Sequence, residues 1–470
     1  MIQAIYYHLY DYLAAYMFLA LTFALFSGFP VGLVLGGLAL LFAAGGMGMN
    51  LMSPAELYLF AERLWQSAAV NQVLVAVPCF VFMGIMLERS RVAADLLRIL
   101  QVLLGAVPGG LALAVTLLGT IMAATTGIIG ASVVMLSMMA LPAMLESGYD
   151  KRLASGTVAA SATLGILIPP SIMLVIMADL MVIPVGNLFV AAILPGLLLA
   201  TLYSVYVISM GTFRPDLAPR IERREDEIGL ANLTRMILQG FVPPVALISL
   251  VLGSIFAGWA TPTEASGVGA CGATLLALMK RRLTWSGLDK VCVQTAMTSA
   301  MIFLIFAGAT AFSYVFRALY GEDLILDLIA WMNLGHWGFL AMLMLLIFVL
   351  GFFFDWIEIT LIVLPVFAPV MANLAPEFAT SLGMQDLPLA EQKSQILFWF
   401  AILVAVNLQT SFLTPPFGFA LFFLKGSAPA SIKIGDIYRG IIPFVLIQLV
   451  GLACVAVFPF LALWLPRVLQ

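Results

Sequence analysis

The sequence predicts an all-α polytopic membrane protein built on an inverted repeat, with two re-entrant hairpins and two interrupted helices. Three observations carry that expectation. Of 470 residues, 63% are hydrophobic and only 10% are charged. No soluble core buries so much apolar surface, so lipid must be the solvent. Apolar runs of spanning length recur along the whole chain, where a barrel would show short alternating strands. A Pro-Pro pair stands in the middle of two long apolar segments, "ATLGILIPPSIMLV" (162–175) and "LQTSFLTPPFGFAL" (408–421). A spanning helix should be continuous at both places.

Spans are expected near 12–28, 30–47, 70–87, 153–182, 188–210, 236–257, 263–280, 291–316, 395–425 and 440–464, with Gly28-Phe29-Pro30 separating the first two. The first 48 residues do not read as a cleavable signal peptide, because they lack a basic start and their apolar run is too long. Segments 109–145 and 337–370 are too long for one span. Each reads as two arms of roughly 15 residues, reaching about 22 Å of a hydrocarbon core about 30 Å thick. Such hairpins need their tips buried in protein. The stretch 91–104 sets Arg91, Asp95 and Arg98 against Leu96, Leu97, Leu100 and Leu103, the pattern of an interfacial amphipathic helix. Asp179 and Arg317 fall near outer helix ends; Asp179 is expected in water and Arg317 to snorkel.

Charge sets orientation. Lys and Arg cluster at 89–98, 151–152, 214–235 and 280–290, whereas loops 48–62, 320–336 and 371–391 are acidic or lack basic residues. If the hairpins return to the side they start from, all four basic clusters share one face, the cytoplasmic one. Both termini then lie outside, and the two hairpins enter from opposite faces. Each half reads hairpin, interrupted helix, closing helix: 109–145, 153–182, 188–210, then 337–370, 395–425, 440–464. The expected division is therefore 1–108, N-terminal scaffold helices; 109–210, first inverted repeat; 211–336, cytoplasmic loop with connecting and scaffold helices; and 337–470, second inverted repeat. Inverted repeats with paired broken helices are the signature of a secondary transporter. A Pro-Pro pair splits the helix and frees carbonyls. Half-helix N-termini can then face an anion, while freed carbonyls face a cation.

Candidate site residues cluster at the tips and breaks. The first tip, "TTGIIGAS", offers Thr125, Thr126, Gly127, Gly130 and Ser132. Its hydroxyl and carbonyl oxygens suit a hard monovalent cation. Equally, Ser132 can cap the second arm while Thr125 and Thr126 bond back into the first. The second tip, "GFFFDWIEIT", begins at Gly351 and holds Asp355 and Glu358, the only acids between Asp327 and Glu377. Intramembrane acids point to cation coordination or proton coupling. Asp-x-x-Glu at the start of an arm also resembles a capping box, with Asp355 as N-cap and Glu358 at N3. Thr410, Ser411 and Thr414 precede Pro415 and Pro416, as Ser161 and Thr163 precede Pro169 and Pro170. These hydroxyls either line a site or bond their own backbone.

Other chemistry is disfavoured. A net charge of -3 implies no nucleic-acid partner. Four isolated cysteines and two histidines argue against a metal or haem site, and the cysteines read as inert packing residues. No Walker motif is present, so this chain does not itself hydrolyse ATP. Neither His-Glu-x-x-His nor a matched pair of Asp motifs marks an intramembrane protease, and a channel would not explain inverted hairpins. The alternative kept open is a proton-coupled, antiporter-like membrane subunit, which Asp355 and Glu358 alone would have to serve.

Further motifs carry a resemblance. "TLGILIPPS" (163–171), the second-repeat "TPP" at Thr414, Pro415 and Pro416, "GNLFVAAILPGLLLA" (186–200) and "GWATPTEASGVGA" (258–270) occur together and in order. In these the chain resembles, over nearly its whole length, the large membrane (permease) subunit of tripartite ATP-independent periplasmic (TRAP) transporters. "TGIIGASVVMLSMMALPAMLESGYDKRLASGT" and "GFFFDWIEITLIVLP" are most similar to the mannitol/chloroaromatic branch, which includes 2-oxo acid systems. The resemblance implies an elevator-type importer of organic acids (carboxylates) in the bacterial inner membrane, using sodium ions for coupling and no other cofactor. It also implies two partners, a small membrane subunit and a periplasmic substrate-binding protein. The family's sodium sites map by motif onto the 125–132 tip, Thr163 and Gly165, the 351–355 tip, and Thr410 and Thr414. Sodium ligands are thereby expected among Ser132, Thr163, Asp355, Thr410 and Thr414. The family's first tip often reads Ser-Gly-Ser; here it is Gly130-Ala131-Ser132.

Overall fold

The computed structural model describes residues 2–66, 70–126, 129–220, 230–415 and 418–469. Every regular element among them is helical. Eight described helices are long and apolar enough to cross a membrane, or nine if one bent pair is a span, so the chain is multi-pass.

The N-terminal helices Ile2–Leu25 and Val31–Gly48 turn at Gly28, whose φ of 79° favours glycine. Helix Ala76–Arg89 then bends by 60° into Val92–Leu104. The second of these is amphipathic as expected, but its buried Leu96, Leu97 and Leu100 pack on the first hairpin rather than on lipid. Pro262–Met279 lies on Ala76–Arg89, and the 34-residue helix Trp285–Ala318 lies on Val31–Gly48. That second pair crosses so closely that a Cβ on Gly308 would overlap the Gly32 carbonyl oxygen.

Both hairpins are formed as helix pairs whose ends return to one place. The first has arms Gly110–Thr126 and Ile129–Glu146. The Leu111 amide, where it begins, donates to the Tyr149 hydroxyl just past its end at 3.2 Å. The second has arms His336–Leu350 and Trp356–Asn373. There His336 stacks edge-on against Phe378 and approaches Glu377 at 3.4 Å, so again start and finish lie together.

Both Pro-Pro segments are broken as predicted. The first runs Lys151–Thr163, a 3-10 turn at Leu164–Ile166, then Ile172–Leu180; the second runs Leu389–Leu413, then Phe419–Ser427. The repeats are inverted. Lys151, opening the first broken helix, donates to the Ser431 carbonyl beyond the end of the second at 2.9 Å. Each hairpin's second arm packs against the short second half of the other repeat's broken helix. The closing helices Val185–Phe213 and Ile434–Val457 meet through Tyr203, Tyr206 and Phe444.

Four expectations need correction. The last span, 440–464, is two helices, Ile434–Val457 and Phe460–Leu469, because Pro459 disfavours helical geometry at the residue before it. Asp179 is not simply solvated; it is half-buried and accepts from the Asn71 amide at 2.7 Å. Arg317 does more than snorkel. It pairs with Glu322 at 2.9 Å and donates to the Pro365 carbonyl at 2.8 Å. Pro369, four residues on, has no N–H for that carbonyl, which is why it is open to Arg317. Of the four free cysteines, Cys271 and Cys292 are exposed rather than packed inside.

Candidate functional site

The 3-10 turn of the first break packs against both arms of the first hairpin and against the second broken helix, so the two breaks and the first hairpin meet. Small residues allow the approach. A Cβ on Gly119 in the first arm would lie 2.5 Å from the Ser161 carbonyl oxygen. Gly130, in the first turn of the second arm, faces Phe423 of the second broken helix, where a Cβ would sit 2.9 Å from the ring. Near the same interface the hydroxyls of Ser137 and Ser427 are hydrogen-bonded. In the second repeat Gly351 lies directly on Ser411, with no space for a side chain.

The hydroxyls at the breaks are buried and already donate into their own helices. Thr163 Oγ1 donates to Ala160 O at 2.9 Å, Thr410 Oγ1 to Val406 O at 3.3 Å, and Ser411 Oγ to Leu408 O at 2.8 Å. Thr414 Oγ1, half-buried, donates to Thr410 O at 2.7 Å. Back-bonding and a functional role are compatible. With its proton committed, each oxygen offers only lone pairs, which serve a cation and not an anion. Ser161 departs from the pattern, since its hydroxyl points to Thr116 Oγ1 at 3.5 Å. Gly165 is buried within the 3-10 turn, and Pro169 and Pro170 occupy the gap before Ile172. Pro415 begins the second gap; Pro416 lies outside the described residues, as does Gly127.

Among the described residues, both short half-helices begin without a side-chain cap. Ser171, at the N-cap of Ile172–Leu180, instead donates to the Ile166 carbonyl, and Gly418 precedes Phe419–Ser427 with φ 45°. Their first-turn N–H groups face the breaks with the positive end of the helix dipole.

The tips resolve differently. Thr125 and Thr126 end the first arm. Ser132 is not the N-cap of the second arm, which starts at Ile129; it is buried within the first turn. At the second tip Asp355 is the N-cap, accepting from Trp356 N at 2.7 Å, and Glu358 reaches back to Asp355 N at 3.4 Å. The capping box is thus formed, and among the described residues no hydroxyl of the breaks bonds to either carboxylate. The Phe353 and Phe354 rings of this tip pack on Phe26 at 5.3 and 5.9 Å, at the end of the first helix.

Sequence reasoning passed over Gln409. It is fully buried, and among the described residues neither end of its amide has a hydrogen-bond partner. Trp356 Nε1 and Thr360 Oγ1 in the second hairpin are likewise unpartnered among the described residues. Buried polar groups are normally satisfied, so an unpaired amide beside a break is a candidate site residue, although Gln448 in the closing helix is unpaired in the same way. The signal lay in the repeat. Gln409 stands six residues before Pro415, as Thr163 stands six before Pro169.

Comparison with known proteins agrees with this architecture. The family model of the tripartite ATP-independent periplasmic transporter, DctM component, matches residues 16–461. The chain is 31% identical over 427 residues to the C4-dicarboxylate TRAP transporter large permease protein DctM of Pseudomonas aeruginosa, covering 90% of this chain and 93% of that protein. It is 28% identical over 448 residues to the sialic acid TRAP transporter large permease protein SiaM of Vibrio cholerae, covering 94% and 96%. The Alcanivorax borkumensis YdaH transporter, with 15% identity, superposes with a TM-score of 0.57 over 88% of this chain and 90% of that one, a likeness of fold. On the matched length and the paired breaks together, the chain belongs to the TRAP transporter family as its large permease, or DctM, component.

Proposed function

We propose that the protein imports an organic acid across the bacterial inner membrane by sodium symport. In this reading a periplasmic binding protein delivers the substrate, and a small membrane subunit completes the complex. The observation that carries the reading is the pair of opposed breaks. Each combines hydroxyls whose protons are already spent with an uncapped half-helix N-terminus. The oxygens suit sodium and the N-termini suit a carboxylate. Ser132, Thr163, Thr410 and Thr414 are the favoured sodium ligands, with Asp355 as the charged candidate; Gln409 is assigned to the substrate or to a second ion. The hairpins and broken helices move as one body against the scaffold. Relatives named for C4-dicarboxylates, sialic acid and ectoine support a carboxylate substrate. The likeness to the mannitol/chloroaromatic branch favours a 2-oxo or hydroxy acid among them.

The test is uptake by proteoliposomes holding both membrane subunits, with the binding protein added. Uptake should need all three proteins and should collapse when potassium replaces sodium at fixed membrane potential. Uptake driven unchanged by a pH gradient alone would instead establish proton coupling through Asp355 or Glu358 and end the sodium reading.

A further inference from the structure

Two cavities open on the basic side of the scaffold and share Arg89 and Lys290 as walls. One, of 290 Å³, sits where Ala76–Arg89 ends and Trp285–Ala318 begins; Ser90, Thr284 and Ser286 add polar lining. The other, of 390 Å³, follows Trp285–Ala318 past Val293 and Met297. At 1.5 Å per residue, Met297 lies about 18 Å along the axis from Trp285, within reach of the hydrocarbon.

The charges are unequally committed. Asp95 is neutralised twice, by Lys280 at 2.6 Å and by Arg282 at 3.1 Å, and Arg282 also donates to the Ser90 carbonyl at 2.9 Å. Among the described residues Arg89 makes a long contact of 3.5 Å to Gln294, with Glu88 beside it, and forms no ion pair within bonding distance. Lys290 forms no ion pair among the described residues. Glu88 and Asp289 are the other acids nearby. Even with them, segments 88–98 and 280–290 carry seven basic side chains against three acidic ones. The first turn of Trp285–Ala318 adds the positive end of a long helix dipole. Below this charge the surface turns apolar, with Trp285 87%, Met297 70% and Val293 51% exposed. A basic pocket above a partly apolar groove along the spanning helix Trp285–Ala318 fits an anionic lipid.

We propose that this place binds one anionic phospholipid of the leaflet on the basic side. Its phosphate lies between Arg89, Lys290 and the start of Trp285–Ala318, and one acyl chain runs along Val293 and Met297. Charge complementarity selects the headgroup. The groove's course into the hydrocarbon selects a lipid over free phosphate or the acidic tail of a partner protein.

Native mass spectrometry of the chain purified together with its proposed small membrane subunit, titrated with phosphatidylglycerol or phosphatidylcholine, tests this. The wild type should retain one phosphatidylglycerol in preference to phosphatidylcholine. Arg89→Gln with Lys290→Gln should weaken phosphatidylglycerol by roughly fivefold per charge removed, about 25-fold in all, and leave phosphatidylcholine unchanged. Arg89→Lys with Lys290→Arg should keep the affinity. So should Arg281→Gln, exposed on the same rim but outside both cavities. Met297→Trp, which fills the groove and keeps every charge, should also lower retention. Equal phosphatidylglycerol affinity in the double Gln variant overturns the proposal. So does displacement by inorganic phosphate at millimolar concentration, which would make this a phosphate site. Loss of the small subunit from the double Gln variant, with lipid retention unchanged, would assign the surface to that partner and overturn it too.

Discussion

Asp355 has two demands on one carboxylate. It accepts the Trp356 amide as N-cap, and it is one of two acids at the second hairpin tip. Asparagine caps nearly as well as aspartate but carries no charge. If Asp355 only caps, Asp355→Asn should transport like wild type, while Asp355→Ala loses about 1 kcal/mol of stability. If it holds a cation, both variants should need more sodium for half-maximal uptake. Sodium titration of both variants, with thermal unfolding alongside, separates the two roles. Gln409 presents the opposite case, a buried amide with no hydrogen-bond partner among the described residues. Gln409→Met removes an unpaired polar group at similar volume, so stability should hold or rise, because burying an unbonded amide is costly. Transport should nevertheless fall at least tenfold. Normal uptake with raised stability would make Gln409 a packing residue.

The broken helices depend on residues that cannot continue a helix. Each proline in a helix interior costs about 3 kcal/mol, so replacing Pro169 and Pro170 with Ala favours one continuous span. The segment stays apolar and long enough to insert. Continuity would nevertheless consume the freed carbonyls and the N-terminus of Ile172–Leu180. Uptake should drop sharply with the protein still folded by gel filtration, and the Pro415/Pro416 pair should behave alike by the repeat symmetry. Pro30→Ala, outside both repeats, should have a much smaller effect. Normal rate and sodium dependence in a folded Pro169/Pro170 variant would reduce the breaks to kinks.

At the scale of the molecule, the contact between hairpin and scaffold bears on the proposed movement. Phe26 follows the first helix, Ile2–Leu25, and packs edge-on against Phe353 of the second tip at 5.3 Å. Arg317 of the scaffold helix Trp285–Ala318 holds the Pro365 carbonyl of the same hairpin. If the hairpins ride against the scaffold, both contacts must break in each cycle. A Phe26→Cys, Phe353→Cys pair, made after replacing the four native cysteines, should cross-link with a short bifunctional thiol reagent that carries a reducible disulfide, stop transport, and recover on reduction. Full transport by the cross-linked protein would mean that the second tip stays fixed to the scaffold and would rule out the elevator reading.

What the sequence determined by itself were properties each residue carries alone. Hydrophobic runs demand lipid whatever their neighbours, and a proline lacks its N–H in any fold. Hairpins, breaks, the repeat and the Asp355–Glu358 capping box were therefore legible. Only the tertiary structure decided which distant residues meet. It set Gly351 on Ser411, Gly130 under Phe423, Asn71 on Asp179 and Arg317 on Pro365, and left Gln409 alone. It also moved Ser132 from a cap into the helix. The reason is that lipid tails are as apolar as a protein interior, so in a membrane helix hydropathy does not mark the face that packs. In water the alternation of polar and apolar residues would have pointed to these partners. Here side-chain shape and the close approach of glycines decide them, and neither can be summed along one strand of sequence.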